Sequence, residues 1–320
     1  MSVRPFDWRD LTVLHRYRHK SVFLNSALLL TRGPMLVQGA LLSYLAPAMG
    51  IFTCVSDDHT ENDLTLIGQV IHTLGSQFAH LTFLAPDNAS DMLHFAPILD
   101  YMVALSGERG AFRLLADVDE HTEAFEVLRQ GGFAIYTRQR IWQWTEEKLN
   151  DLLAKIPDPP LANNWRTANG RDTIAIRSLY NNLVPGLVQQ AEPFVAQHPK
   201  GLVYYQDGEL LAYVELQYGH RGIWAQPFIH PDAEGISDHF LHFLQKLRNR
   251  HSRPVYLCVR SYQSWLETAI DELGAECGPK QAVMVKHLAV QQKALRTLTL
   301  PALEGGQAEI SAPIAHSEMK

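Results

Sequence analysis

The sequence is poor in cysteine and has no long basic run. Its three cysteines, Cys54, Cys258 and Cys277, form no Cys-x-x-Cys pair and no even set for disulfide pairing, and no basic-then-apolar signal segment opens the sequence. We therefore expect a reducing, cytoplasmic setting. The 34 acidic side chains outnumber the 28 basic ones, and lysine and arginine cluster only in short stretches such as 246–250. This balance disfavours a nucleic-acid partner, which needs a basic face.

Residues 34–55 carry no charge and are numerous enough to span a bilayer. Polar and helix-breaking residues interrupt this stretch, among them Gln38 and Pro47. We predict a helix at about 35–45, a break, and a buried strand at 50–55. No association with a membrane is expected.

A similar pattern of elements occurs twice along the sequence. Each copy opens with an arginine that is followed six residues later by an aspartate, Arg4 with Asp10 and Arg166 with Asp172. Each copy closes with a strand, an amphipathic helix ended by glycine, and a second strand. The closing units cover residues 112–144 and 254–288. Two copies of one α/β unit explain the pattern.

The composition changes between the two copies, where residues 145–164 form a charged helical stretch followed by Ile-Pro-Asp-Pro-Pro. Such a proline cluster cannot continue a helix or join the interior of a sheet. We predict an N-terminal domain over residues 1–146, a linker over 147–164, a second domain over 165–290 and a mobile tail over 291–320. Each domain is expected to hold a mixed, mainly antiparallel sheet flanked by helices, which makes the fold class α/β (α+β).

Three local patterns accompany this order of elements over about residues 1–290. The first is the arginine-to-aspartate opening, and the second is a late-helix pattern written N-x-x-A-x-x-x-Y-x-x-x-G-F. Its positions are occupied by His121, Ala124, Leu128, Gly132 and Phe133 in the first copy and by Gln263, Leu266, Ile270, Gly274 and Ala275 in the second. The third is Ile-His-Pro-Asp at 229–232 with Gly-Ile-Ser at 235–237. Together with the order of the elements, these patterns resemble the GNAT family, the Gcn5-related N-acetyltransferases, and the third is similar to that family's entry to its pyrophosphate loop.

The resemblance implies two tandem GNAT-like domains and acyl-CoA-dependent N-acyltransfer by the second one. Acetyl-CoA is the implied acyl donor, and a small-molecule or peptide amine is the implied acceptor. A diphosphate needs backbone N–H groups at a helix start and glycines that permit close approach. The implied cofactor-binding residues are Phe228, Ile229, His230, Gly235, Ile236 and Ser237.

Three side chains of the second copy are candidates for proton transfer, Glu215, His230 and Tyr262. Period-two alternation places Tyr213 and Glu215 on one face of a strand and the apolar residues between them on the other face. His230 ends the neighbouring strand, and Tyr262 follows a third strand. The alternative is that Glu215 is a solvated strand residue and that His230 only caps a strand end.

Both copies also depart from the family pattern. Leu128 and Ile270 occupy the tyrosine position and cannot transfer a proton. The loop at 87–91 holds two acids and no glycine, so the first copy is not expected to bind coenzyme A in the family's manner, and Glu234 precedes the second loop. These departures favour an alternative function, a catalytically inactive GNAT-like protein that binds a ligand or serves as a scaffold.

Two other patterns have ordinary structural explanations. His239 and His242 stand three residues apart on a predicted helix, but no third ligand is evident, so no metal site is expected. Cys258 lies between apolar residues on a predicted strand, which is typical of a small buried hydrophobic residue.

Overall fold

The computed structural model describes residues 2–58, 64–88, 93–154, 164–194, 199–233, 235–247 and 253–288. The predicted tail, the proline-rich part of the predicted linker, and Glu234 lie outside the described residues. The strands are β1 (Ser2–Pro5), β2 (Val22–Phe23), β3 (Ile51–Asp58), β4 (Leu64–Ile71), β5 (Phe78–Ala85), β6 (Arg113–Asp119), β7 (Ala134–Trp144), β8 (Trp165–Thr167), β9 (Gly201–Gln206), β10 (Glu209–Tyr218), β11 (Ile223–Ile229), β12 (Val255–Arg260) and β13 (Glu276–His287). The α-helices are α1 (Leu11–Arg16), α2 (Ser26–Arg32), α3 (Leu36–Leu45), α4 (Ala96–Glu108), α5 (Glu123–Gln130), α6 (Glu146–Ala154), α7 (Thr173–Leu183), α8 (Gly186–Ala191), α9 (Ile236–Lys246) and α10 (Leu266–Glu272).

The uncharged stretch at 34–55 folds as its polar and helix-breaking residues predict. Helix α3 ends at Leu45, a single turn of 3-10 helix follows at Pro47–Met49, and β3 begins at Ile51. In the part of the chain that the structure describes, no helix combines the length and the apolar character needed to cross a membrane.

The thirteen strands found in the described ranges belong to one mixed sheet. From one edge to the other the order is β1-β3-β4-β5-β6-β13-β7-β12-β11-β10-β9-β8, and β2 pairs with β5 beside this path. The pairs β5–β6 and β11–β12 are parallel, and the other pairs are antiparallel. The predicted fold class, a mixed and mainly antiparallel sheet flanked by helices, is confirmed.

The closing strands of the two halves are exchanged. Strand β7 comes from the first half but lies between β12 and β13 of the second, while β13 lies between β6 and β7 of the first. Gln139 and Gln281 stand opposite each other in the shared β7–β13 pair, and Gln139 Nε2 donates to Gln281 Oε1 at 2.8 Å. Each half therefore completes its sheet with a strand of the other half. The domain boundaries at 146 and 165 stay a prediction.

Apolar side chains cover both faces of the sheet. On β10, Ala212, Val214 and Leu216 belong to a core cluster with side chains of α9 and α10. Tyr213 belongs to a different cluster, with side chains of α7 and α8. Because alternate strand residues point to opposite faces, this division confirms the predicted alternation and places Glu215 on the face of Tyr213. Helix contacts also cross between the halves, since α2 packs on β10 and β11, and α8 packs on β7.

The arginine-to-aspartate openings form the same ion pair in both copies. Both guanidinium nitrogens of Arg4 donate to the two oxygens of Asp10 at 2.7 Å, and Arg166 donates to Asp172 at 2.8 and 2.5 Å. Each aspartate also accepts a backbone N–H three residues before it, at 2.8 Å in the first copy and 2.9 Å in the second. The pair thus joins the first strand of each copy to the first helical turn.

We expect Asp172→Asn to lower the free energy of unfolding by about 1–2 kcal/mol at neutral pH, a figure reduced for the solvent exposure of Arg166. Hydrogen bonding to Arg166 lowers the pKa of Asp172 from 3.8 to about 2. A carboxyl group with a lowered pKa stabilises the fold above its unfolded pKa, and this stabilisation is lost as pH falls through the folded value. Urea unfolding of both proteins should show a difference that is constant above about pH 5 and shrinks toward about pH 2. Asp151→Asn, at an exposed position on α6, is the control, and an equal loss there would contradict the assignment.

The exchanged strands predict that the two halves stay together after the chain is cut between them. A protease site inserted within residues 155–163 allows cleavage into two fragments. Because β7 pairs with β12 and β13, and β13 pairs with β6 and β7, we expect the fragments to elute as one species in size-exclusion chromatography. They should separate in denaturant, and the uncut inserted protein is the control. Separate elution of folded fragments in native buffer would contradict the exchange.

Candidate functional site

A groove opens in the second half where two parallel strands part. The last parallel pair of β11 and β12 joins Ala225 with Leu257. Beyond it, β11 continues to Ile229 and β12 continues to Arg260, each with its own partner on the outer side. The facing edges of the two strand ends therefore present backbone groups that need partners other than each other.

Gln263 occupies the groove edge of β11. Its Nε2 donates to the Pro227 carbonyl oxygen at 2.8 Å, and its Oε1 accepts the Ile229 N–H at 2.9 Å. The side chain is buried, with 1% of the residue exposed. The His230 N–H faces the other way and donates to Leu211 O at 2.8 Å. The Gln263 amide thus pairs with one backbone donor, the Ile229 N–H, and one backbone acceptor, the Pro227 oxygen. This edge of β11 is therefore complementary to an amide group.

The start of α9 lies directly after the end of β11. Gly235 precedes the helix with φ 68° and ψ 41°, a left-handed conformation that favours glycine, and a Cβ at this position would meet no atom within 4 Å. Among the described residues no side chain caps the helix, so the N–H groups of its first turn, which holds Ile236 and Ser237, are oriented for an anion. The carboxylate of Asp238 in the same turn opposes that attraction.

Glu215 lies on the same face of β10 as Tyr213, opposite Gln226 of β11. Its side chain is exposed to solvent, although surrounding protein atoms desolvate its carboxylate in part. This desolvation raises the pKa of Glu215, the nearby Glu192 carboxylate raises it further, and Lys200 opposes the shift. The carboxyl group is therefore a stronger base than an ordinary glutamate when it is ionised.

A buried arginine stands at the end of β12 on the same side of the sheet. The Arg260 side chain is 7% exposed, and its Nη2 donates to both carboxylate oxygens of Glu192, at 3.0 and 3.2 Å. The Tyr136 hydroxyl donates to the same carboxylate, and the Tyr180 hydroxyl donates to the Glu192 backbone oxygen at 2.5 Å. Nε and Nη1 of Arg260 have no hydrogen-bond partner among the described residues. The Glu192 carboxylate thus compensates the buried charge of Arg260, while the Nε–H and Nη1–H donors of Arg260 are not used by the described residues.

Tyr262 lies beside this cluster. Burial raises the pKa of its phenol, Arg260 opposes the shift, and Glu192 adds to it. The phenol therefore keeps its proton at neutral pH and is a donor rather than a base. Since Glu192 acts on both Glu215 and Tyr262, the structure brings these two predicted residues into one region.

His230 lies apart from that region. It follows Gln226, the partner of Glu215, by four positions along β11, which is about 13 Å in an extended chain. Its Nδ1 accepts the Asp232 N–H at 3.3 Å and lies 3.4 Å from Asp232 Oδ2. His230 instead borders a separate cavity of about 450 Å³ beside the β9–β10 turn. His230 thus has a polar partner at the strand end, and its role in catalysis or ligand binding stays a prediction.

The equivalent groove of the first half is filled by the chain itself. Strands β5 and β6 pair in parallel only as far as His80 with Leu115. Beyond that point β2 pairs with β5, the Leu24 N–H donates to Thr82 O at 2.9 Å, and Leu24 O accepts the Asp117 N–H at 2.9 Å. Leu24 is fully buried and bridges the two parted strands. The loop at 89–92 lies outside the described residues.

The remaining residues of the sequence patterns have structural roles. Leu128 and Ile270, at the tyrosine position of the late-helix pattern, are fully buried in the cores of their halves. Cys258 is buried as predicted, and burial raises the pKa of its thiol to about 12. The His239 ring packs 4.3 Å from the Tyr204 ring, and the described residues contain no cluster suited to a metal ion.

Sequence reasoning missed Gln263, Arg260 and Glu192 as site residues. Gln263 matches the asparagine position of the late-helix pattern, and this match was an available signal. Arg260 was detectable as the one charged residue of the strand VYLCVR. No local signal marks Glu192, because its partner lies 68 residues away in the sequence.

We expect Gln263→Leu to expose the groove edge of β11. The change removes the partners of Ile229 N–H and Pro227 O, which should cost about 1–3 kcal/mol for each buried group. Hydrogen exchange measured by mass spectrometry should show faster exchange of the Ile229 amide. Gln130→Leu, at an exposed position on α5, is the control. Unchanged exchange at Ile229 would contradict the role of Gln263.

No protein-family model matches the chain, and no curated protein sequence matches it. Solved structures match most of its length. A tandem GNAT protein from the clavulanic acid biosynthesis pathway, without AcCoA, is 14% identical, with 91% of this chain and 99% of that chain covered and a TM-score of 0.50. A GCN5-related N-acetyltransferase from Sphaerobacter thermophilus is 10% identical, with 89% and 95% covered and a TM-score of 0.51. A Drosophila protein is 14% identical, with 89% and 98% covered and a TM-score of 0.50.

At these identities the likeness concerns the fold. It extends over both copies of the repeated unit, as the resemblance of the sequence patterns predicts. The chain has the fold of a tandem GNAT, or Gcn5-related N-acetyltransferase, protein.

Proposed function

We propose that the second half catalyses acyl-CoA-dependent N-acyltransfer, with acetyl transfer to a small-molecule or peptide amine as the reaction. The observation that carries the proposal is the groove between β11 and β12, whose amide-complementary edge runs from Pro227 to Ile229 and leads to the open start of α9. In this proposal Glu215 and Tyr262 supply the proton-transfer groups beside the groove. The fold supports the general class of acyltransferases and does not by itself establish the chemistry.

The residues of the second half fit the cofactor at two places. Gly235, Ile236 and Ser237 would hold the diphosphate through backbone N–H groups, since no described atom lies within 4 Å of a Cβ at Gly235 and no described side chain caps the helix. Ile229 and Pro227 would bind an amide of the cofactor arm once the Gln263 side chain releases them. When bound, the cofactor supplies the acyl group as a thioester.

Glu215 and Tyr262 move the protons in this proposal. The Glu215 carboxylate removes a proton from the acceptor amine, and its raised pKa makes it a more effective base near neutral pH. Burial raises the pKa of Tyr262, so its hydroxyl holds a proton at neutral pH. In the proposal this proton goes to the thiolate sulfur, which would leave as the amine nitrogen forms its bond to the acyl carbon. His230 takes no part in proton transfer in this proposal, because it lies about 13 Å along the strand from Gln226, the residue opposite Glu215.

We expect Glu215→Gln to lower kcat about 10²–10⁴-fold in an assay with acetyl-CoA and a panel of amines. The wild-type rate should rise with pH through the raised pKa of Glu215, because only the ionised carboxylate accepts a proton, and this limb should vanish in the variant. Gln217→Ala, two positions along the same face of β10, is the control. Isothermal titration should show acetyl-CoA binding to the wild type and to Glu215→Gln and none to Gly235→Glu. Absence of binding at millimolar acetyl-CoA would refute the proposal.

The same titration on Gln263→Ala tests the groove edge. If the cofactor must displace the Gln263 amide, the Gln263→Ala variant, which lacks this amide, should bind acetyl-CoA more tightly than the wild type. Weaker binding to a variant that remains folded by circular dichroism would argue against this edge as the binding place.

The second candidate function is a catalytically inactive GNAT-like protein that binds a ligand or serves as a scaffold. Three observations favour it: Leu24 fills the groove of the first half, Gln263 occupies the edge in the second, and the tyrosine position of each late helix is a buried aliphatic residue. Turnover of any amine with acetyl-CoA, lost in both Glu215→Gln and Gly235→Glu, would exclude this alternative. Binding of acetyl-CoA with no turnover across the panel would favour it.

A further inference from the structure

A second cavity lies at the junction of the two halves, at the other end of β11 from the groove. Its volume is about 450 Å³. The first half contributes residues from the end of α2 and the start of α3, and the second half contributes the β10–β11 turn and the segment before β12. The described residues that line it are Arg32, Met35, Gln38, Tyr218, Gly219, His220 and Arg253.

The two walls of this cavity are fixed against each other by backbone contacts. The Arg221 N–H donates to Thr31 O at 2.9 Å, which joins the β10–β11 turn to the end of α2. A Cβ at Gly219 would lie 2.1 Å from the same Thr31 oxygen, so only glycine permits this approach. The β10–β11 turn therefore lies directly against the end of α2, and this contact holds the two walls next to each other.

The arginine on the second-half side is held in a fixed orientation. Arg253 Nη1 donates to Gly219 O at 2.9 Å, and its guanidinium carbon lies 6.0 Å from the centroid of the Tyr218 ring. Arg32, the exposed last residue of α2, lines the cavity from the first half, and within the described ranges its guanidinium forms no ion pair. One arginine from each half thus lines the same cavity.

The charge of this cavity differs from that of the whole chain. The protein has a formal net charge of −6, but none of the described lining residues is acidic. The lining supplies the N–H donors of Arg32 and Arg253, the amide of Gln38 and the imidazole of His220. Planar guanidinium groups bind oxyanions through paired hydrogen bonds. Donors on more than one side favour the three terminal oxygens of a phosphoryl group over the two oxygens of a carboxylate.

We propose that this cavity is a binding site for a small molecule bearing a phosphoryl group. Arg32 and Arg253 hold the phosphoryl oxygens, and the remaining volume, bordered by Tyr218 and Gln38, accepts the group that carries it. The site lies at the opposite end of β11 from Gly235, so it is separate from the place proposed for the cofactor diphosphate and does not depend on that proposal.

Isothermal titration of the full chain with inorganic phosphate and with pyrophosphate, at constant ionic strength, tests the site. We expect saturable binding that weakens at least about tenfold in Arg32→Ala and in Arg253→Gln, because each removes a charge-assisted hydrogen bond. Arg32 is exposed, so Arg32→Ala should fold normally even if Arg253→Gln does not. Arg16→Ala is the matched control, since Arg16 is the exposed last residue of α1 and lines none of the cavities described.

Four outcomes would overturn the proposal. The first is an absence of saturable binding at millimolar pyrophosphate, and the second is an equal loss of binding in Arg16→Ala. The third is binding that survives Arg32→Ala but disappears in Gly235→Glu, which would assign the anion to the start of α9. The fourth is acetate binding as tightly as phosphate, which would remove the preference for a phosphoryl group.

Discussion

The pairing of β7 with β13 is the constraint on which the rest of the structure depends. Each of these strands closes one copy of the repeated unit, yet each lies among the strands of the other copy. Strand β13 covers the inner edge of β6, and β7 covers the inner edge of β12, so neither edge is left unpaired at the centre of the sheet. The pairing of β7 with β12 places Tyr136 and Arg260 where both side chains bind Glu192, so this polar cluster is built by both halves.

The backbone groups at the two grooves find their hydrogen-bond partners in different ways. Where parallel strands part, their facing backbone groups lose their partners, and a buried unpaired group costs about 1–3 kcal/mol. In the first half, the backbone of Leu24 bridges β5 and β6, and displacing it would require moving a segment of the chain. In the second half, the Gln263 side chain alone satisfies the edge of β11, and a rotation of that side chain would free it. This difference is why we assign ligand binding to the second half.

Electrostatics near the second groove follows from burial more than from net charge. Desolvation is the largest cause of the raised pKa values of Glu215 and Tyr262, and Glu192 adds to both. Glu192 is itself held by Arg260 and Tyr136. A single carboxylate from the chain beyond α8 thereby links the arginine at the end of β12 to the two residues proposed to transfer protons.

The sequence alone determined the features that depend on near neighbours. The arginine-to-aspartate pairs span six residues, the helix and strand types follow local periodicity, and alternation along β10 places Glu215 on the face of Tyr213. Only the tertiary structure decided the strand exchange, the bond of Gln263 to a strand 34 residues away, and the contact of Arg260 with Glu192 across 68 residues. These arrangements join segments that are distant in the chain, and local propensity carries no information about which distant edge a strand or side chain will meet.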